Sequence, residues 1–242
     1  MSVISPTLRA RVRASIEEPI GRFFGRLGFT PNALTLIGFG IAVVGACFAA
    51  IQSWLIAGLV VAFGAVFDLF DGALARATGR TSRFGAFLDS TLDRAGEAVV
   101  YIGIAVGLMP MTAGADDLIR LVGLGPVGTT VGPVLAIAAM ASAFMVSYTR
   151  AKSESLSFTS GTGMANVGLA PREVRVAILS IALILAGLNG ALTANFGETY
   201  WWWTLVSALS LITVLATVTT VQRILFVYQQ SKSEPNQEKE NH

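Results

Sequence analysis

Apolar residues run through this chain in six long blocks, at about 32–52, 54–77, 87–109, 127–149, 172–194 and 200–226. Each block approaches or exceeds the ~20 residues a helix needs to cross the hydrocarbon core of a bilayer. The pattern predicts an all-α, polytopic membrane protein with six transmembrane helices. Ahead of the first block, Ile4, Leu8, Val12 and Ile16 recur every four residues with arginines between them. That spacing predicts an N-terminal amphipathic juxtamembrane helix, lying on an anionic membrane surface or docked on the protein's own face. Thr30 or Asn32 is the expected cap of the first span, and Pro31 suits its first turn. Trp201, Trp202 and Trp203 mark an interfacial belt where the sixth span begins. Three segments follow: a juxtamembrane segment over 1–27, a six-helix domain over 28–228 and a disordered polar tail over 229–242.

Composition narrows the class. The 242 residues are 53% hydrophobic and 13% charged, against about 25% charged in a soluble domain. The N-terminus lacks a short apolar core followed by a small-residue cleavage site, so no cleaved signal peptide is expected. Positive charge is one-sided. Arg9, Arg11, Arg13, Arg22 and Arg26 precede span 1. Arg76, Arg80, Arg83 and Arg94 surround the connection between spans 2 and 3, and Arg150, Lys152, Arg172 and Arg175 the connection between spans 4 and 5. Arg223, Lys232 and Lys239 end or follow span 6, and Arg120 alone lies opposite. The positive-inside rule then puts both termini and both basic connections on the cytoplasmic face of the cell membrane. Cys47 is the one cysteine and His242 the one histidine. A zinc or copper site is excluded on that count, and any metal must be held by oxygen.

The candidate chemistry lies in four carboxylates: Asp68 and Asp71 at the end of span 2, and Asp89 and Asp93 at the start of span 3. A carboxylate at membrane depth is costly and marks a functional site by default. Asp68 and Asp71 are three apart, and Asp89 and Asp93 four apart, so each pair shares a helix face. The short connection over 78–85 predicts that the two spans pack as antiparallel neighbours and aim all four at one point. Together they suit a hard divalent cation, Mg²⁺ or Mn²⁺, working with substrate phosphates. Gly72 and Gly85 leave bare backbone beside them, and Arg76, Arg80 and Arg83 add positive charge at the same opening. Glu97 continues the Asp89/Asp93 face and is read as a supporting or structural group rather than a ligand.

These residues form the pattern Asp68-x2-Asp71-Gly72-x2-Ala75-Arg76-x8-Gly85-x3-Asp89-x3-Asp93, which resembles the signature of the CDP-alcohol phosphatidyltransferase family without a departure. The resemblance covers nearly the whole chain. It implies an enzyme that transfers a phosphatidyl group from CDP-diacylglycerol to a hydroxyl acceptor and releases CMP. It also implies metal binding by Asp68, Asp71, Asp89 and Asp93, with Asp93 as the general base. Pro31, Asn32, Thr35, Asp68, Gly72, Ala75, Arg76, Arg80 and Gly85 would hold the CDP-lipid, and the assembly would be a homodimer among membrane lipids, with no nucleic-acid partner.

Arg150, Lys152, Arg172 and Arg175 converge, by topology, on the same face and suit an acceptor phosphate. Ordinary flanking charge is the competing explanation. The stretches around them resemble the phosphatidylinositol phosphate synthase branch of the family, with the cations at 150 and 152 exchanged. That implies inositol 1-phosphate as the acceptor. Phosphatidylglycerophosphate synthesis from glycerol 3-phosphate is the alternative within the family. A divalent-cation transporter and a CDP-lipid-binding protein without activity are alternatives from other classes.

Overall fold

The computed structural model describes residues 18–109, 127–158, 167–193 and 200–233. Their regular structure is α-helical throughout: α1 (Glu18–Arg26), α2 (Pro31–Ala50), α3 (Trp54–Thr78), α4 (Arg83–Gly107), α5 (Val127–Ser155), α6 (Arg172–Thr193) and α7 (Tyr200–Ser233). The apolar period over 4–16 lies outside the described residues. α1 itself packs on α3, with Gly21 seated against the carbonyl of Ala73.

Among the described residues, four helices are long and apolar enough to cross a membrane: α2, α3, α5 from Val131, and α7 between Trp201 and Lys232. The two other expected spans, α4 and α6, carry the site's charges. Asp89, Asp93 and Arg94 lie in the first half of α4 with Glu97 just past its middle, and Arg172, Glu173 and Arg175 open α6. Large apolar side chains, among them Leu59, Phe63, Phe87, Ile181 and Val214, face outward, as lipid rather than water requires. The interior is built of small and medium residues such as Ala57, Ile104, Ala139, Leu183, Ala186 and Leu209. Trp201 stacks on Trp54 at a centroid distance of 5.6 Å, so one member of the tryptophan belt is packing, while Trp203 remains exposed. α7 continues to Ser233, five residues into the expected tail, where Lys232 lies over the Tyr228 ring one turn back.

One expectation about packing is corrected. α3 and α4 do not pack along each other despite their short connection. α2 packs against both, α3 packs on α6, and α7 holds α5 and α6. The reason is glycine. A Cβ at Gly103 would stand 2.3 Å from the Ala46 carbonyl oxygen, and one at Gly107 2.2 Å from that of Ala49. Bare backbone therefore draws α4 onto α2. Gly38 and Gly45, on another side of α2, meet Asp68 and Val61 of α3. α2 is a wedge, and the carboxylates of α3 and α4 meet only around its N-terminal end.

Candidate active site

α2 begins where the Thr30 hydroxyl accepts the Ala33 N–H at 3.2 Å, with Pro31 in the first turn. This settles the cap in favour of Thr30 and leaves Asn32 free to turn toward α4. One helical turn on, the Thr35 hydroxyl donates to Asp71 Oδ2 at 2.8 Å. α3 ends at Gly79, in the left-handed conformation at φ 64°, and α4 starts at once with the Ser82 hydroxyl accepting the Gly85 N–H at 2.9 Å. Two tight caps thus hold the ends of α3 and α4 at the wedge.

The four aspartates gather there but divide between two adjoining cavities. Asp71 and Asp89 lie within hydrogen-bonding reach of each other. They line the first cavity with Pro31, Asn32, Thr35, Gly72, Ala75, Arg76, Arg80 and Gly85. Every residue expected to hold the CDP-lipid, apart from Asp68, is in that wall. Asp68 and Asp93 line the second cavity with Thr35, Gly38, Glu97 and Arg172, over an apolar floor that includes Ala42, Val61, Val100 and Leu179. Thr35 belongs to both cavities. Gly38 was not singled out for the site, yet a Cβ there would stand 2.7 Å from Asp68 Oδ1. Its signal in the sequence was its place one turn past Thr35.

Arg172 reaches from α6 into the second cavity and pairs with Asp68 Oδ2 at 2.7 Å and Asp93 Oδ1 at 3.0 Å. Arg175, one turn deeper, is only 1% exposed. It forms a two-pronged pair with Glu97, at 2.8 and 2.7 Å, and donates to the Ala170 carbonyl at 2.8 Å. Its donors are thus committed inside the protein, and Glu97 is the structural partner rather than a ligand. Arg150 pairs with Glu154 of its own helix at 2.9 Å on an exposed surface, and Lys152 is exposed beside it. The expected cluster of four cations is therefore dispersed: one in the cavity, one buried and two on the surface. Arg223, counted above as flanking charge, is buried at 4% exposure and lies within electrostatic reach of Arg150 and Arg175.

The donor set fits a hard divalent cation, because four carboxylates gather here and Asp71 and Asp89 are in reach of each other. Among the described residues no three acidic groups close on a single point. Arg172 occupies an oxygen of Asp68 and one of Asp93, and Thr35 one of Asp71.

Comparison with known proteins identifies the scaffold. The sequence pattern of the CDP-alcohol phosphatidyltransferases matches residues 29–191. An archaetidylinositol phosphate synthase of Pyrococcus horikoshii is 36% identical over 176 residues, 72% of this chain and 80% of the relative. A phosphatidylinositol phosphate synthase of Cutibacterium acnes is 34% identical over 219 residues, 88% of this chain and 93% of the relative. Among solved structures, the phosphatidylinositol phosphate synthase of Mycobacterium tuberculosis with CDP-DAG bound aligns with a TM-score of 0.66 at 28% identity, covering 88% of this chain and 94% of that one. Its complex with manganese and citrate aligns at 0.68 and 27% identity, covering 88% and 89%. Two adjoining cavities walled by the full Asp-Gly-Ala-Arg-Gly-Asp-Asp set, on a helical scaffold shared with these enzymes, leave one conclusion: the chain belongs to the CDP-alcohol phosphatidyltransferase family and is a phosphotransferase.

Proposed function

We propose that this enzyme transfers the phosphatidyl group of CDP-diacylglycerol to the hydroxyl of inositol 1-phosphate, giving phosphatidylinositol phosphate and CMP. The observation that carries the reading is the pairing of the two cavities, one walled by the nucleotide set and the other holding Asp93 with Arg172. The names of the relatives supply the acceptor.

The first cavity takes the cytidine diphosphate, with Arg76 and Arg80 beside its phosphates and Gly72 and Gly85 allowing close approach. Asp68, Asp71, Asp89 and Asp93 would hold Mg²⁺ or Mn²⁺, which when bound would neutralise the pyrophosphate and stabilise the departing CMP. Thr35 fixes the Asp71 carboxylate through its 2.8 Å hydrogen bond. The acceptor lies in the second cavity with its phosphate toward Arg172, and Arg150 and Lys152 add positive charge on the approach. Asp93 takes the proton of the acceptor hydroxyl as its oxygen attacks the β-phosphorus. A new P–O bond forms there, and the bond from β-phosphorus to the bridging oxygen breaks, leaving with CMP. Arg175 supports this wall from behind rather than touching the acceptor.

The apolar blocks and the one-sided arginines support six spans with both termini and the site on the cytoplasmic face. The family resemblance supports a homodimer. The test is CMP release by purified protein with CDP-diacylglycerol and Mg²⁺, with inositol 1-phosphate, glycerol 3-phosphate, serine or inositol added in turn. Stimulation by inositol 1-phosphate alone is expected. Stimulation by glycerol 3-phosphate instead keeps the site and replaces the acceptor.

A further inference from the structure

α6 delivers Arg172 to the second cavity, but α4, which holds Asp93, makes no extended contact with α6. α3 and α7 hold the length of α6, and the segment that leads into it bears on where it begins. The segment 167–170, immediately before it, is pinned from α7. Thr219 is fully buried, and its hydroxyl accepts both the Leu169 N–H and the Ala170 N–H at 3.0 Å while donating to the Leu215 carbonyl at 2.8 Å. That uses its one donor and both acceptor positions. Gly168, at φ +121°, lies flat on the Thr219 methyl, where a Cβ would come within 2.2 Å. One turn on, Arg223 Nε donates to the Val167 carbonyl at 3.0 Å. The Ala170 carbonyl in turn accepts from Arg175. The Pro171 carbonyl accepts the N–H groups of Val174 and Arg175 at 3.1 and 3.2 Å, opening the helix.

We propose that Thr219 is a positioning residue for Arg172: its hydroxyl anchors the segment from which α6 starts, and so sets where the Arg172 guanidinium enters the acceptor cavity. The inference rests on the reading that Arg172 serves the acceptor phosphate. Thr219 touches neither substrate.

The experiment compares the full chain with Thr219→Ser and Thr219→Val in the CMP-release assay, using whichever phosphorylated acceptor stimulates the wild type. Serine keeps the hydroxyl, and valine keeps the shape without it. Thr219→Val raises the acceptor KM on the order of tenfold and leaves the donor KM within about twofold, and Thr219→Ser restores both. An equal rise in the two KM values, no rise, or a serine variant as impaired as valine overturns the proposal. If Thr219→Val does not fold, Gly168→Ala carries the same test, since its Cβ displaces the segment from Thr219. If no phosphorylated acceptor stimulates the wild type, the acceptor reading fails by itself. Amide hydrogen exchange then decides the anchoring: in Thr219→Val, lost protection spreading from 169–170 into 172–176 upholds it, and loss confined to 169–170 overturns it.

Discussion

Arg172 and Arg175 stand one turn apart on one face of α6, and each pairs with carboxylate of α4. Their surroundings differ. The Arg172 side chain is 32% exposed in an open cavity and divides its donors between Asp68 and Asp93. The Arg175 side chain is 1% exposed and gives both prongs to Glu97, itself 7% exposed. A partly wet pair can be exchanged for a substrate anion or a cation at small cost, because water and ligand replace what is lost. A dry pair cannot, because breaking it strands a buried charge. Two arginines of equal standing in the sequence thus divide into one open to a ligand, which we propose serves the acceptor, and one locked into the interior.

The largest effect expected on this contrast lies at the carboxylate of the wet pair. Asp93→Asn lowers turnover by about 10²–10⁴-fold and leaves CDP-diacylglycerol binding intact. Near-normal turnover in that variant would remove Asp93 from the role of base. Next comes the dry pair. Glu97→Ala leaves Arg175 buried without its partner and costs about 3–5 kcal/mol of stability, seen as a lowered unfolding temperature. The double variant Glu97→Ala/Arg175→Met recovers much of it. Unchanged stability in the single variant would mean that the pair is not a structural tie. Arg172→Ala, on the wet side, raises the acceptor KM by about tenfold to a hundredfold with little change in unfolding temperature. A matching rise in donor KM would place Arg172 with the nucleotide instead. The smallest effect is at the exposed Arg150–Glu154 pair, where Glu154→Gln changes stability by no more than about 0.5 kcal/mol. A larger shift there would show that exposure is a poor guide to which pairs matter.

Half of the site was legible in the chain. The wall of the first cavity is drawn from residues 31–35 and 71–89, carried on neighbouring helix ends: spacing put Gly72, Arg76 and Gly85 beside the aspartates, and the family resemblance added Thr35. The basic wall was legible only as composition. Arg172 meets Asp68 across 104 residues, and Arg175 meets Glu97 across 78. No periodicity distinguishes a lysine or arginine that turns inward from one that stays at the surface. Arg223 shows this most clearly: as flanking charge it looked interchangeable with Lys232, yet it is buried against backbone carbonyls. The direct packing of α3 on α4 failed for a related reason. A short loop fixes where two helices meet, but close-fitting glycine surfaces fix which neighbour each prefers.

The seam between α2 and α4 has a consequence for how this protein tolerates change. Gly103 lies fourteen positions along α4 from Asp89, about 20 Å away at helical rise. It has no chemistry of its own. Yet any side chain there must push against the Ala46 carbonyl, and α4 is a stiff rod. Displacement at one end is leverage at the other, where Thr35 and Asp93 line one cavity from two different helices. In a library of single replacements scored for growth or turnover, positions 103 and 107 should be as intolerant as the aspartates themselves. An inherited variant at either would then be read as a lesion of activity, although it lies at the far end of the helix from the reaction.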